Sequence, residues 1–295
     1  MINSLSLLLS LGLIWGSGYS IARYAMTHGV PPLGYSFWQA WGPALLLLLI
    51  ISLKKISLPL NARHLVYYFF TGLLGIAIPN TIMYFSAAHL PAGILTIVVN
   101  TVPMFIYPLA LLAHQEKYDR IRVAGVFIGV LGVMAIIVPN AALPEINFKY
   151  WILLTLITPL SFSLCSIYIT RYRPEKTDSV TLSTGMLLAA AFLITPIVLA
   201  NHSLYSLGLP FNLAKAVVFL EILLSSAGYI LFFKLLKNAG PVYYSLTGGV
   251  VTITGLIWGH IVFNEHYDQW IIFAIVAILI AILMLSIRFK AYIKK

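Results

Sequence analysis

Residues 115–119 read QEKYD and residues 264–268 read NEHYD, the same acidic punctuation written twice, 149 positions apart. Between and around these two marks the chain is overwhelmingly apolar. Of its 295 residues, 61% are hydrophobic and only 9% are charged, where a soluble domain carries about 25% charged residues. No soluble core absorbs that much apolar surface, so the solvent for this chain is lipid. A helix needs roughly 20 mostly apolar residues to cross a bilayer. Runs of that kind fall at 5–25, 33–52, 64–86, 91–113, 121–139, 149–170, 180–200, 213–235, 241–263 and 269–288. They are continuous, not alternating in ~10-residue segments, so they predict helices and not barrel strands. The first run has no basic leader and nine runs follow it, so it reads as a span and not a signal peptide.

The repeated motif then organises the ten runs. QEKYD lies between runs four and five, and NEHYD between runs nine and ten, so Glu116, Tyr118 and Asp119 correspond to Glu265, Tyr267 and Asp268. A second echo, IARY at 21–24 and ITRY at 169–172, ends the first run of each half at nearly the same offset. The expected fold is all-α and integral to the membrane, with ten transmembrane helices in two five-helix repeats, 1–148 and 149–295. Because five is odd, the halves enter the membrane from opposite sides. Inverted repeats of this kind build secondary transporters, with the site near the midplane between the halves. The acidic marks themselves read as helix–turn–helix punctuation, where carboxylates cap the next helix and interact with its dipole.

Charge placement orients the chain. The formal net charge of +10 is distributed as a topology signal and not as a nucleic-acid footprint. With the N-terminus inside, fifteen lysines and arginines fall in inner loops and the tail, against Arg23, Lys149 and Lys215 outside. Basic residues are retained on the cytoplasmic side of short loops, which places both termini in the cytoplasm. Cys165, inside a span, is the single cysteine and allows no intramolecular disulfide.

The stretch GLIWGSGYSIARYA in the first span resembles the start of members of the drug/metabolite transporter superfamily, in its ten-helix EamA-type branch. NTVPMFIYPLALLAHQEKYDRIRVAGVFIGVLGVMAI across spans four and five is similar to the same family, with a proline in span four and a glutamate at its end. The second copy, VYYSLTGGVVTITGLIWGHIVFNEHYDQWIIFAIVAILIAILML, follows the same outline. The resemblance covers essentially the whole chain and implies two inverted halves, a central cavity, and movement of small solutes by alternating access, with export as the expected direction. The second half departs from the pattern: 250–254 read VVTIT where span nine often carries proline, so that half is expected either to bend less sharply or to bend at Gly248 and Gly249.

One carboxylate stands apart from the loops. Glu221 falls six residues past Lys215, ~9 Å into span eight at 1.5 Å rise per residue. An ionisable residue at that depth costs roughly 2.5–3.5 kcal/mol on insertion scales and normally faces a bundle interior or cavity. Ser225, Gly228 and Tyr229 follow on the same helical face. Glu221 is therefore the first candidate for contact with a cationic solute or for carrying a coupling proton; a buried partner of a serine or tyrosine is its structural alternative. Lower-ranked candidates are Trp15 and Tyr19 in span one, Gln39 in span two, Asn80 and Tyr84 in span three, Asn100 in span four, and Ser163 and Ser166 in span six. Together they outline an aromatic and amide-lined cavity suited to an amino acid, an aromatic metabolite or an organic cation. His260 reads as structural. Prolines 79, 103, 108, 159 and 196 are candidate bending points. Gly12 with Gly16, Gly125 with Gly129, and Gly255 with Gly259 form G-x-x-x-G pairs for close helix packing.

Rival functions find less in the chain. There is no H-E-x-x-H, no G-x-S-x-G and no P-loop. A membrane-embedded enzyme acting on a lipid-linked substrate, or a channel, are the alternatives to a carrier. No cofactor or metal site is expected. The expected partners are a small-molecule substrate and the lipid bilayer, with no nucleic acid, and the expected state is monomer or homodimer. The expected location is the cytoplasmic membrane of a prokaryote.

Overall fold

The computed structural model describes residues 3–137 and 146–286, and among these every regular element is helical. The charges at Glu145, Arg288, Lys290, Lys294 and Lys295, and the junction near 148, lie wholly or partly outside the described residues. The first helices are α1 (Ser4–Thr27), α2 (Pro32–Leu53), α3 (Ala62–Gly72) and α4 (Ile78–Ala87), the last two joined by a π-helical turn at Leu73–Ala77. Next come α5 (Ala92–Val99), α6 (Val102–Leu112), α7 (Arg120–Ile137), α8 (Ile146–Thr155) and α9 (Ile157–Tyr172). The chain continues with α10 (Ser179–Ala200), α11 (Leu213–Ser245), α12 (Thr247–Phe263) and α13 (Gln269–Ser286). Among the described residues, seven helical stretches are long and apolar enough to cross a bilayer, from Ser4–Thr27 to Leu213–Gly240, and the apolar helices Thr247–Phe263 and Gln269–Leu285 are shorter. Large apolar side chains face outward: Phe127 is 67% exposed and Phe192 65%, exposures that a lipid surrounding makes favourable. The chain is a multi-pass membrane protein.

Several spans are broken, and the local sequence explains where. Pro79 has no N–H for the preceding turn, and the π-helical turn lies just before it. Side chains of α9 serve the backbone there: Ser161 Oγ donates to the Leu74 carbonyl (2.7 Å) and Thr158 Oγ1 to that of Pro79 (3.1 Å). Pro103 likewise follows the break between α5 and α6. At that break Asn100 Nδ2 donates back to the Thr96 carbonyl (2.7 Å) and Thr101 Oγ1 to that of Val98 (2.8 Å). Such side-chain donors are what lets irregular backbone persist inside a membrane protein. Pro108 and Pro196, by contrast, sit inside continuous helices and interrupt nothing.

Two sequence expectations about the second half are corrected. Span eight does not end at 235: α11 runs on through KLLKNA and turns only at Gly240, which takes φ +77° before Pro241. A left-handed backbone is open to glycine, and the residue preceding a proline is disfavoured in α conformation, so the corner falls there. The interruption of span nine is at Leu246, not at Gly248 and Gly249, which lie within α12. Gly248 instead lets α12 approach the broken segment of span four: a Cβ there would stand 3.3 Å from Asn100 Oδ1.

Helix pairing sets the frame of the site. α7 lies along α13, α2 along α10, and α1 against both α11 and α12, while α6 and α4 both pack on α9. The glycine pairs serve these contacts unevenly. Gly12 and Gly16 both meet α12, but Gly125 meets α13 while Gly129 meets Met104 of α6. Gly259 faces the acidic loop at Glu265 and Tyr267.

The acidic motifs lie at opposite ends of the bundle and work differently. Asp119 Oδ1 accepts from Ile121 N (2.8 Å) and Arg122 N (3.3 Å), and Asp268 Oδ1 from Ile271 N (2.8 Å), so both aspartates cap the next helix as expected. Glu116 pairs with Arg122 at 2.9 Å. Glu265 does not cap the helix that follows it. It accepts from Ala92 N (2.7 Å) and Gly93 N (2.8 Å), first-turn donors of α5 that have no partner within their own helix, with Arg23 Nε 3.8 Å away. Arg23 also donates to the Leu90 carbonyl.

Outside the spans, Asp178 caps α10, accepting from Val180 N (2.8 Å), Thr181 N (3.0 Å) and Thr181 Oγ1 (2.6 Å). Partial burial pushes its carboxyl up, but these hydrogen bonds outweigh it and hold the group below the usual aspartate range. A depressed folded-state pKa means the cap contributes fully above the unfolded value and is lost as pH falls through the folded one. Asp178→Ala is expected to cost about 1 kcal/mol at neutral pH, and less in acid. Thermal unfolding of the two proteins in detergent across that pH range checks it.

Candidate functional site

A cavity of about 80 Å³ opens in the middle of the bundle, where α1, α4, the α5–α6 break, α9, α10, α11 and α12 converge. That space holds several waters or a group of a few heavy atoms. Eight of the residues singled out from sequence line it. Trp15 and Tyr19 come from α1, Asn80 and Tyr84 from α4, Asn100 from the break, and Glu221, Ser225 and Tyr229 from one face of α11. The i, i+4, i+8 spacing of the last three places them on the same wall.

The other three candidates lie elsewhere. Gln39 is fully enclosed behind the wall, with Nε2 donating to the Val218 carbonyl (3.3 Å) and Oε1 accepting from Ser225 Oγ (3.3 Å). Ser163 and Ser166 do not reach the cavity. Ser163 Oγ is shared between the carbonyls of Pro159 (2.7 Å) and Val102 (3.2 Å), and Ser166 Oγ donates to that of Phe162 (2.8 Å). Serines in a helix readily bond the carbonyl four residues back, and from one sequence this cannot be told from a hydroxyl facing a ligand. His260 sits outside the cavity, its Nδ1 3.1 Å from the Glu265 carbonyl oxygen.

Inside the cavity the polar groups are partly matched. Asn80 Nδ2 donates to Tyr229 Oη at 3.1 Å, and Asn100 Nδ2 stands 3.5 Å from Tyr19 Oη. Trp15 anchors an aromatic cluster, with ring centroids 6.2 Å from Tyr229, 5.6 Å from Phe232 and 6.1 Å from Tyr244. Glu221 is only 6% exposed. Its Oε1 accepts from Ser225 Oγ at 3.1 Å, and its Oε2 has no hydrogen-bond partner. Gly18 makes room for it: a Cβ at that position would stand 2.9 Å from Glu221 Oε1. Among the described residues no lysine, arginine or histidine forms an ion pair with Glu221; the ion pairs are Arg23–Glu265 and Arg122–Glu116. No group of three or more histidine, cysteine or acidic side chains that could hold a metal occurs among the described residues.

The sequence reading missed much of the wall. Gly18 and Gly75, the aromatics Phe162, Phe232 and Tyr244, and Met83, Cys165 and Met186 all line the cavity. Cavity-facing and lipid-facing apolar residues look alike in a membrane chain, so most of these carried no signal. Gly18 had one, since it lies three residues past Trp15 on the same face.

Known proteins resemble the chain along its whole length. Its sequence is 22% identical over 255 residues to an uncharacterised transporter of Archaeoglobus fulgidus, covering 85% of this chain and 87% of that one. It is 20% identical over 284 residues to the uncharacterised transporter YoaV of Bacillus subtilis, covering 96% of both. A stretch of 185 residues, 62% of this chain, is 30% identical to the uncharacterised inner membrane transporter YedA of Escherichia coli, covering 56% of it. A crystal structure 14% identical in sequence superimposes with a TM-score of 0.70 over 98% of both chains, a likeness of fold. The model of the EamA-like transporter family matches twice, over residues 3–138 and again over 149–287. With a central cavity that holds a buried carboxyl inside an apolar helical bundle, and a family model that matches residues 3–138 and 149–287, the chain belongs to the EamA-like transporter family and is a membrane transporter.

Proposed function

We propose that the protein is a secondary carrier that moves a small amine-bearing or aromatic metabolite across the cytoplasmic membrane by alternating access, outward, with Glu221 as the charge-bearing group of the site. The observation that carries this reading is the carboxyl of Glu221: buried, lining the central cavity, without a cationic partner, and with one oxygen unmatched. A buried charge normally has a partner. A cationic substrate group or a proton supplies the missing one, and competition of the two for the same carboxyl would couple proton entry to substrate exit.

The architecture proposed is ten spans in two inverted five-helix halves, 1–148 and 149–295, with both termini cytoplasmic. The pairing of helices supports it. Span five lies on span ten and span two on span seven, as partners related by a two-fold axis would. Asn80 and Tyr229, hydrogen-bonded across the cavity, are 149 residues apart, the spacing of the two acidic motifs. The double match to the family model, over residues 3–138 and 149–287, supports the same division.

Purified protein screened for thermal stabilisation against amino acids, amines, quaternary ammonium compounds and nucleosides tests the site. A ligand at 100 times its Kd raises stability by about 2.7 kcal/mol. A hit should also slow alkylation of Cys165, the chain's one cysteine, which lines the cavity. Stabilisation without any protection of Cys165 would place the ligand elsewhere and remove this cavity as the site.

A further inference from the structure

Ser225 Oγ lies between two acceptor oxygens, Glu221 Oε1 at 3.1 Å and Gln39 Oε1 at 3.3 Å, and a hydroxyl has one proton to donate. The sense of the Gln39 amide is set by its other end. Nε2 faces the Val218 carbonyl at 3.3 Å, and turning the amide over would set oxygen against oxygen there. All three side chains are buried: Gln39 is 1% exposed, Ser225 7% and Glu221 6%. With Glu221 ionised, one of the two acceptors is left without a donor in a place water does not freely reach. With a proton on Glu221 Oε1 the conflict disappears. The carboxyl donates to Ser225 Oγ, Ser225 Oγ donates to Gln39 Oε1, and Gln39 Nε2 donates to the Val218 carbonyl, so every link runs in one direction.

Among the described residues no lysine, arginine, histidine or other carboxylate pairs with Glu221 to compete with this arrangement. The titratable neighbours of Glu221 are phenols: Tyr35 of α2, Tyr84 of α4 and Tyr229 of α11 itself. Further round the cavity are Tyr19 of α1, Cys165 of α9 and Tyr244 at the end of α11. Lys215, on the same helix, turns away and donates to the carbonyls of Gly208 and Pro210 in the preceding loop. α1 presents Gly18 to the carboxyl, with Trp15 and Tyr19 lining the same cavity.

We propose that Gln39, which does not touch the cavity, is a positioning residue that holds the proton on Glu221 by claiming the only proton Ser225 can donate. The inference rests on the reading of Glu221 as the proton-carrying group. Release follows when another donor, such as a substrate ammonium, reaches the carboxyl and replaces the one Gln39 has taken.

The test is infrared titration of the protonated carboxyl in purified protein, its band assigned by its disappearance in Glu221→Gln. Gln39→Leu frees Ser225 to donate to the carboxylate, so the midpoint should fall by about one pH unit, the scale of one hydrogen bond gained by the charged form. Because Gln39 acts through Ser225, the same change in a Ser225→Ala background should move the midpoint little. Gln39→Met, closer in shape, replaces Gln39→Leu if the latter does not fold. A midpoint that ignores both substitutions, rises, or falls equally without Ser225 overturns the role of Gln39 and leaves Glu221 as proton carrier standing. Absence of any titrating band assigned to Glu221 overturns both.

Discussion

Glu221→Gln is expected to leave folded protein in the membrane and to reduce pH-dependent flux to the level of protein-free vesicles. Glutamine has the shape of a protonated glutamate and keeps a donor for Ser225 Oγ, so the hydrogen-bond chain to Gln39 and Val218 remains whole. What it lacks is the second protonation state. A carrier that uses this carboxyl to exchange a proton for its substrate is then locked in one step of its cycle. The measurement is flux in proteoliposomes of a compound found by thermal stabilisation, at several pH values, for both proteins. Flux with an unchanged rate and pH profile would take Glu221 out of the transport step. A thermal midpoint equal to or above the parent's at high pH would separate loss of function from loss of fold.

Glu265→Ala carries the second large effect, at the end of the bundle where Arg23, Leu90 and the start of α5 meet. Glu265 supplies charge-assisted acceptors to Ala92 N and Gly93 N, and Arg23 is held beside it. Its removal strands two backbone donors in a largely buried place, a loss of roughly 3 kcal/mol. The carboxylate also ties the loop before α13 to the start of α5, more than 170 residues earlier in the chain. Thermal stability should fall, and alkylation of Cys165, only 1% exposed in the parent, should accelerate several-fold as that end loosens. Lower stability with unchanged Cys165 reactivity would reduce Glu265 to a structural cap. Glu116, paired with Arg122 at the opposite end, offers the comparison: Glu116→Ala should cost less, because that ion pair joins residues six apart on one side of a single turn.

The carboxylates show how far a linear reading reaches. That Glu221 is exceptional followed from its depth in an apolar run, because lipid penalises an ionisable group whatever the fold around it. That Ser225 and Tyr229 share its wall followed from helical periodicity alone. The acidic motifs were legible as turns, and the caps by Asp119 and Asp268 are local enough to be read from spacing. The partner of Glu265 was not legible, since its donors are more than 170 residues away in sequence. Ser163 and Ser166 are mid-span serines as Ser225 is, though with no carboxylate on their helical face. Only the neighbouring helices decided that two of these hydroxyls serve backbone carbonyls and one faces the cavity.

The sequence by itself determined the class of solvent, the helical character of the spans, the repeated organisation of its motifs, and the one intramembrane carboxylate. Each of these is a property of a single helix or of composition, set by the cost of exposing polar groups to hydrocarbon. The tertiary structure decided which helices are neighbours. It therefore decided that Asn80 meets Tyr229, that Gly18 opens a place for Glu221, and that Gln39 stands behind Ser225 and not in the cavity wall. Periodicity orients a side chain about its own helix axis, but the group it meets comes from a helix packed against it, and that choice is made by the packing of the whole bundle.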